Sequence, residues 1–224
     1  MKIILFGATG MVGQGVLREC LRDTEVERVL VIGRRSIGNQ NEKMREIVHR
    51  DFLDFSSIEN QLGGYDACFF CLGVSSVGMK EQDYTRVTYD YTMAAAQVLA
   101  KQDPGMMFIY VSGAGTDSTE KGRLMWARVK GKTENTLFKL SFKAYAFRPG
   151  YVQPLDGIKS KTKLYAALYS AVGGLYPLLR TIFPKYVTTT ELVGRAMICV
   201  AKRGAPKRLL ENDDINHCCD DGAS

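Results

Sequence analysis

The stretch "ILFGATGMVGQGVL", residues 4–17, decides the fold. A strand-length apolar run ends at Phe6 and meets Gly7, Gly10 and Gly13, after which the apolar spacing becomes that of an amphipathic helix. In a strand–turn–helix unit of this kind the three glycines serve different needs, namely a tight turn, a backbone that approaches a pyrophosphate closely, and a helix packed hard on its strand. The helix begins with N–H groups that have no intrahelical acceptor, and these suit an anion. Thr9, Met11 and Val12 share the loop with the three glycines, so these six residues are the candidates for holding a pyrophosphate.

Strand-like runs recur outward from this unit. They are Lys2–Phe6, Val29–Ile32, Glu46–His49, Ala67–Leu72, Met106–Val111 and Ala144–Phe147, with helical patterns between most of them. Continuous apolar strands separated by helices predict an α/β fold, a doubly wound, Rossmann-like parallel sheet covered on both faces. After "RPG" (148–150) the rhythm changes, and a basic and aromatic stretch, "KSKTKLYAALYSAVGGLYPLLRTIFPKY" (159–186), precedes a helix starting near Thr189–Glu191. This tail reads as a small helical C-terminal lobe. The chain has 224 residues, 46% of them hydrophobic, and no composition break. It is expected to form a single domain over 1–224, with a dinucleotide-binding core over 1–147 and a substrate or lid lobe over 148–224.

Composition excludes several classes. The first residues, "MKIILFGATG", meet glycines too early for a signal-peptide core or a membrane span, which points to the cytoplasm. Cys20, Cys68, Cys71, Cys199, Cys218 and Cys219 are scattered rather than set in a framework, so reduced thiols are expected. A net charge of +6, dispersed along the chain, does not argue for nucleic acid but favours an anionic small ligand.

About twenty residues after the glycine loop, the second strand ends in "VLVIGRRS" (29–36). An NAD site would carry an acidic residue there for the ribose 2′-hydroxyl, whereas Arg34 and Arg35 can clamp a 2′-phosphate, which favours NADP(H) over NAD(H). After the third strand, "HRDFLDF" offers Asp51 and Phe52 near the expected adenine position. After the fourth, "FCLGVSS" offers Leu72 and Gly73 beside the expected ribose and phosphates, since ligands gather at the carboxyl ends of parallel strands.

With these pieces together the sequence resembles the short-chain dehydrogenase/reductase superfamily, in its atypical, epimerase/dehydratase-like branch with a Gly-x-x-Gly-x-x-Gly loop. More narrowly it is similar to the Tat-interacting-protein group of NADPH-binding oxidoreductase-like proteins. The resembling stretches are "GATGMVGQGVL", "VLVIGRRS", "CFFCLGVSS", "YVSGAGTDS", "RVKGKTEN", "FRPGYV" and "RLLENDDI". The resemblance implies bound NADP(H), with Pro149 and Gly150 of "RPG" among its neighbours, and an active site at the ends of the fourth and fifth strands.

It also implies a catalytic Tyr-x-x-x-Lys pair and a serine after the fifth strand. Four-residue spacing puts phenol and ammonium on one helix face, where the positive charge lowers the tyrosine pKa from about 10 and lets it pass a proton. Ser112 matches the serine that orients a substrate carbonyl, and Lys130 matches the lysine that holds the nicotinamide ribose. The tyrosine position holds Trp126, whose indole N–H donates but does no acid–base chemistry. None of the eleven tyrosines has a lysine four residues later. Three readings stay open: Tyr151 or Tyr110 supplies the proton, a water held by Ser112 does, or cofactor binds without turnover.

Other features carry less. Cys68 and Cys71 face opposite sides of a strand and read as core thiols, His49 as a packed strand residue, and His217 with Cys218 and Cys219 as an isolated tail cluster without a metal role. The stretch 159–186 suits a substrate lid, a dimer face or a surface lying on anionic lipid. Two functions follow: an NADP(H)-dependent oxidoreductase acting on a carbonyl, hydroxyl or nucleotide-sugar-like substrate as a monomer or homodimer, or an NADP(H)-binding regulatory or interaction module.

Overall fold

A computed structural model describes residues 1–38, 41–158 and 176–220 of the chain. Residues 159–175, most of the basic and aromatic stretch, lie outside the described residues. The chain opens with β1 (Lys2–Phe6), α1 (Met11–Arg22), β2 (Arg28–Gly33), β3 (Met44–Val48) and β4 (Ala67–Phe70). A continuous helical run, α2, joins Glu81–Thr85 and Tyr91–Gln102 through a wider π turn at Arg86–Asp90. Then come β5 (Met107–Val111), α3 (Met125–Leu137), β6 (Lys143–Arg148) and the short β7 (Tyr151–Gln153). The last third holds α4 (Tyr176–Ile182), β8 (Val187–Thr189), α5 (Thr190–Arg203), β9 (Leu209–Glu211) and α6 (Asn212–His217).

The main sheet runs β3-β2-β1-β4-β5-β6-β9, and every pairing is parallel. The strand order reverses between β1 and β4, which opens a crevice at their carboxyl ends. Alternation along each strand splits the core into two layers. Ile4, Phe6, Leu30, Phe70, Phe108 and Tyr110 pack on the side of α2 and α3, while Ile3, Leu5, Val31, Phe69, Ile109 and Phe147 pack on the side of α1 and α5. Cys68 belongs to the first layer and Cys71 to the second, as a strand requires of residues three apart.

The C-terminal part feeds back into the sheet. α5 lies on α1 so closely that a Cβ on Gly15 would come within 2.5 Å of the Thr190 Cβ, and β9 adds the seventh strand. Three-residue strands such as β7, β8 and β9 are too short to leave a periodic signal, which is why the sequence pattern passes over them. No helix among the described residues is long and apolar enough to cross a membrane.

The expectation that all thiols are reduced is corrected. Cys199, near the end of α5, is bonded to Cys219 just past α6, with their Cα atoms 6.0 Å apart. The two meet because α6 folds back on α5, a contact that residues 20 apart in sequence do not announce. Closing a loop of this length stabilises a fold by about 3 kcal/mol. Urea unfolding in reductant is therefore expected to give a free energy lower by about that amount. A Cys199→Ser, Cys219→Ser double variant should match the reduced protein and show no response to reductant; a wild-type protein insensitive to reductant would contradict the bond.

Candidate functional site

Gly7 has φ +79°, a conformation that a side chain disfavours, and a Cβ there would lie 2.5 Å from the backbone of Cys71 and Leu72. A Cβ on Gly13 would overlap the Gly7 carbonyl oxygen. The loop thus presses β1, β4 and α1 together at the crevice. Gly10 N–H donates to Gly7 O at 2.9 Å and the first α-type bond runs from Gln14 N to Gly10 O, so the N–H groups of Met11, Val12 and Gly13 precede that bond. No side chain caps α1 and its first turn holds no acid, so the positive end of the helix faces the crevice without a counter-charge from the helix itself.

Two cavities flank this loop and share Leu72 as a wall. The first, about 690 Å³, is lined by Gly7, Ala8, Thr9, the end of β2, Arg34, Arg35, Arg50 and Phe52. None of the three guanidinium groups has a protein partner among the described residues. Three arginines that converge on one cavity without partners suit a doubly charged phosphate. Phe52 is 2% exposed and is held by Phe6, Phe55, His49 and Tyr91 around it, so it offers a fixed ring edge. His49 sits just past β3, with its Nε2 bonded to Asp54 O at 2.8 Å. Asp51 does not line the cavity; its carboxylate accepts Leu53 N–H at 2.9 Å and shapes the turn. Arg50, which the sequence reading passed over, takes that place because it adjoins the end of β3 beside β2.

The second cavity, about 420 Å³, is lined by Met11, Val12, Gly73, Val74, Ser112, Lys130, Pro149 and Gly150 together with other apolar residues. Its floor is stitched by backbone bonds from Ser112 N to Phe147 O at 2.8 Å and from Ala114 N to Pro149 O at 2.9 Å. Gly150 N–H is held by Asn212 Oδ1 at 2.9 Å, which ties the "RPG" turn to α6.

α3 carries Trp126, Lys130 and Glu134 four residues apart on one face. Lys130 donates from Nζ to the Ser112 carbonyl oxygen, and burial lowers its ammonium pKa to about 8 against the opposing pull of Glu134. The Trp126 ring lies over Gly115, where a Cβ would come 3.3 Å from the ring, and does not line the cavity. Ser112 is 5% exposed, and its hydroxyl donates to Glu134 Oε1 at 2.5 Å, with the Phe147 carbonyl at 3.1 Å. Its single proton is thus committed inward, whereas the sequence reading has it pointing at a substrate. Glu134, fully buried, also receives Arg148 through Nε at 3.0 Å and Nη2 at 2.5 Å. The spacing Trp126–Lys130–Glu134 was the one available signal for this acid; its partner Arg148 comes from another element.

The other proposed acids are elsewhere. Tyr110 is 1% exposed in the core layer under α2 and α3, where burial pushes its phenol up. The Tyr151 hydroxyl donates to Gln153 Oε1 at 2.8 Å and does not line the cavity.

A sequence profile of the NAD(P)H-binding family matches residues 7–148. Protein HTATIP2 of Rattus norvegicus is 29% identical over 153 residues, which cover 66% of this chain and 62% of the rat protein. Protein FMP52-2, mitochondrial, of Scheffersomyces stipitis is 27% identical over 150 residues, covering 65% and 64% respectively. The chain therefore spans less than two thirds of the length of these relatives. Among solved structures, the YIR035C short chain dehydrogenases/reductase of Saccharomyces cerevisiae superposes with a TM-score of 0.64 over 98% of both chains at 13% identity, a likeness of fold.

Proposed function

The chain belongs to the NAD(P)H-binding family, and we propose that within it the protein binds NADP(H) and acts as an oxidoreductase of the short-chain type on a carbonyl or hydroxyl substrate. The observation that carries this reading is the pair of cavities on either side of the glycine loop, with three arginines that have no partner among the described residues at one end and Lys130 at the other. Gly7, Thr9, Gly10 and the N–H groups of Met11, Val12 and Gly13 would hold the pyrophosphate, and Phe52 would border the adenine. Leu72 and Gly73 would flank the ribose and phosphates, and Lys130, Pro149 and Gly150 would surround the nicotinamide ribose. When bound, the reduced nicotinamide supplies a hydride to a carbonyl carbon. We place the protein in the cytoplasm; the mitochondrial setting in the name of the Scheffersomyces relative is the alternative that cell fractionation decides.

Fluorescence titration tests the cofactor. NADPH is expected to bind more tightly than NADH, and each of Arg34→Ala, Arg35→Ala and Arg50→Ala should weaken NADPH about tenfold, about 1.4 kcal/mol, while changing NADH little. The preference should shrink as salt rises, because the arginines are exposed. Equal losses for both nucleotides would remove the 2′-phosphate clamp.

A second reading, cofactor binding without turnover, is favoured by Trp126 at the tyrosine position and by the committed Ser112 hydroxyl. A panel of aliphatic aldehydes, aromatic aldehydes, cyclic ketones and nucleotide sugars, followed at the NADPH absorbance, separates the two.

A further inference from the structure

We propose that Lys130 is itself the proton donor to the substrate oxygen, in place of the tyrosine that the helix lacks. This rests on the NADP(H)-dependent reading above and assigns the acid within that same site.

Elimination and geometry lead to it. Among the described residues, the polar side chains on the wall of the second cavity are Cys71, Ser112 and Lys130. Burial pushes the Cys71 thiol up, so it holds its proton. The Ser112 proton is given to Glu134. Lys130 is different: an ammonium has three protons, and the Ser112 carbonyl is the one acceptor it has among the described residues. That bond fixes Nζ beside the Gly113 backbone, where a Cβ would lie 3.7 Å from it, and leaves two protons for whatever enters the cavity.

The surroundings keep this proton transferable. The charged group acting on Lys130 is Glu134, one turn further along α3, and its carboxylate is already filled by Ser112 and by both guanidinium contacts of Arg148. Arg148 is in turn shared with Glu211 and Ser118, so Glu134 supplies field without becoming an acceptor for the Lys130 proton. With burial winning over Glu134, the Lys130 ammonium pKa is lowered to about 8, close to the working pH at which an acid catalyst is most effective. The step balances. The carbonyl carbon gains the hydride and its electron pair from NADPH, the C–O π pair moves to oxygen, and that oxygen takes a proton from Nζ. Alcohol, NADP⁺ and a neutral amine result, and the amine regains a proton from water at the cavity mouth.

Two measurements test this. First, the cofactor-free protein labelled with ¹³C,¹⁵N-lysine is titrated by NMR, with Lys130 assigned by its absence in Lys130→Arg. A midpoint near 8 is expected, whereas a midpoint of about 10 or above, the range of an ordinary lysine, overturns the proposal whatever the cofactor does. Second, Lys130→Arg keeps a cation and donors but cannot release a proton. It should hold NADPH within about fivefold of wild type and lose about 10²-fold or more in carbonyl reduction, together with the fall in rate that wild type shows above about pH 8. Parallel loss of binding and turnover would leave Lys130 as a cofactor anchor only, and a wild type that binds NADPH yet reduces none of the carbonyl panel also overturns the assignment. If NADPH itself fails to bind, the proposed function falls, and the NMR midpoint still reports on the acid independently.

Discussion

Trp126→Tyr is expected to raise NADPH-dependent carbonyl reduction by about tenfold, the part of a well-placed general acid's usual contribution that Lys130 does not already supply. Position 126 is one turn before Lys130 on the same face of α3, so a phenol there would stand next to an ammonium that lowers its pKa and would restore the missing pair. The indole lies over Gly115, in the loop that continues from Ser112 and Gly113, and a smaller ring leaves that space to the phenol and its hydroxyl. The measurement is the initial rate at the NADPH absorbance with the best carbonyl of the panel. Trp126→Phe is the control, since it removes the indole without adding a hydroxyl. Equal gains in the two variants would assign the effect to the space opened beside Gly115 and not to acid catalysis. No gain in Trp126→Tyr would mean that the face carrying Trp126 does not meet the substrate oxygen.

The second large effect is on stability. Glu134→Ala should cost about 3–5 kcal/mol, the usual result of removing one partner of a buried ion pair, and lower the melting temperature by about 10 °C. Glu134 is fully buried and Arg148 is 8% exposed, so removal leaves a guanidinium largely out of water with, among the described residues, Ser118 and Glu211 to receive it. It also frees the Ser112 hydroxyl and removes the contact that joins the end of β5 to α3 and to β6. Glu134→Gln keeps part of the hydrogen bonding and should fall between the wild type and Glu134→Ala. A thermal melt with all three proteins at equal stability would show that the pair contributes no net stabilisation.

Legibility in the sequence followed the range of each interaction. The strand–glycine–helix unit, the alternation of strands and helices, and the positions of Arg34, Arg35, Leu72, Gly73 and Lys130 were readable, because a period of 2 or 3.6 and a glycine's backbone freedom are local properties. Phe52 was placed by its distance from a strand end, and it does line the cavity. Asp51 was placed by the same rule and does not, because an aspartate beside a turn is captured by a backbone N–H two residues on. The serine after the fifth strand was located correctly in the chain, but where its proton goes depends on Glu134, 22 residues away.

By itself, then, the sequence determined a parallel α/β sheet, a strand–glycine–helix loop and the absence of a tyrosine before Lys130, since each is written in neighbouring residues. Tertiary structure decided that Arg50 joins Arg34 and Arg35, that Glu134 meets Arg148 and Ser112, that Cys199 finds Cys219, and that β9 closes the sheet. These pairings join elements far apart in the chain, where packing and burial choose the partner and no local pattern records the choice.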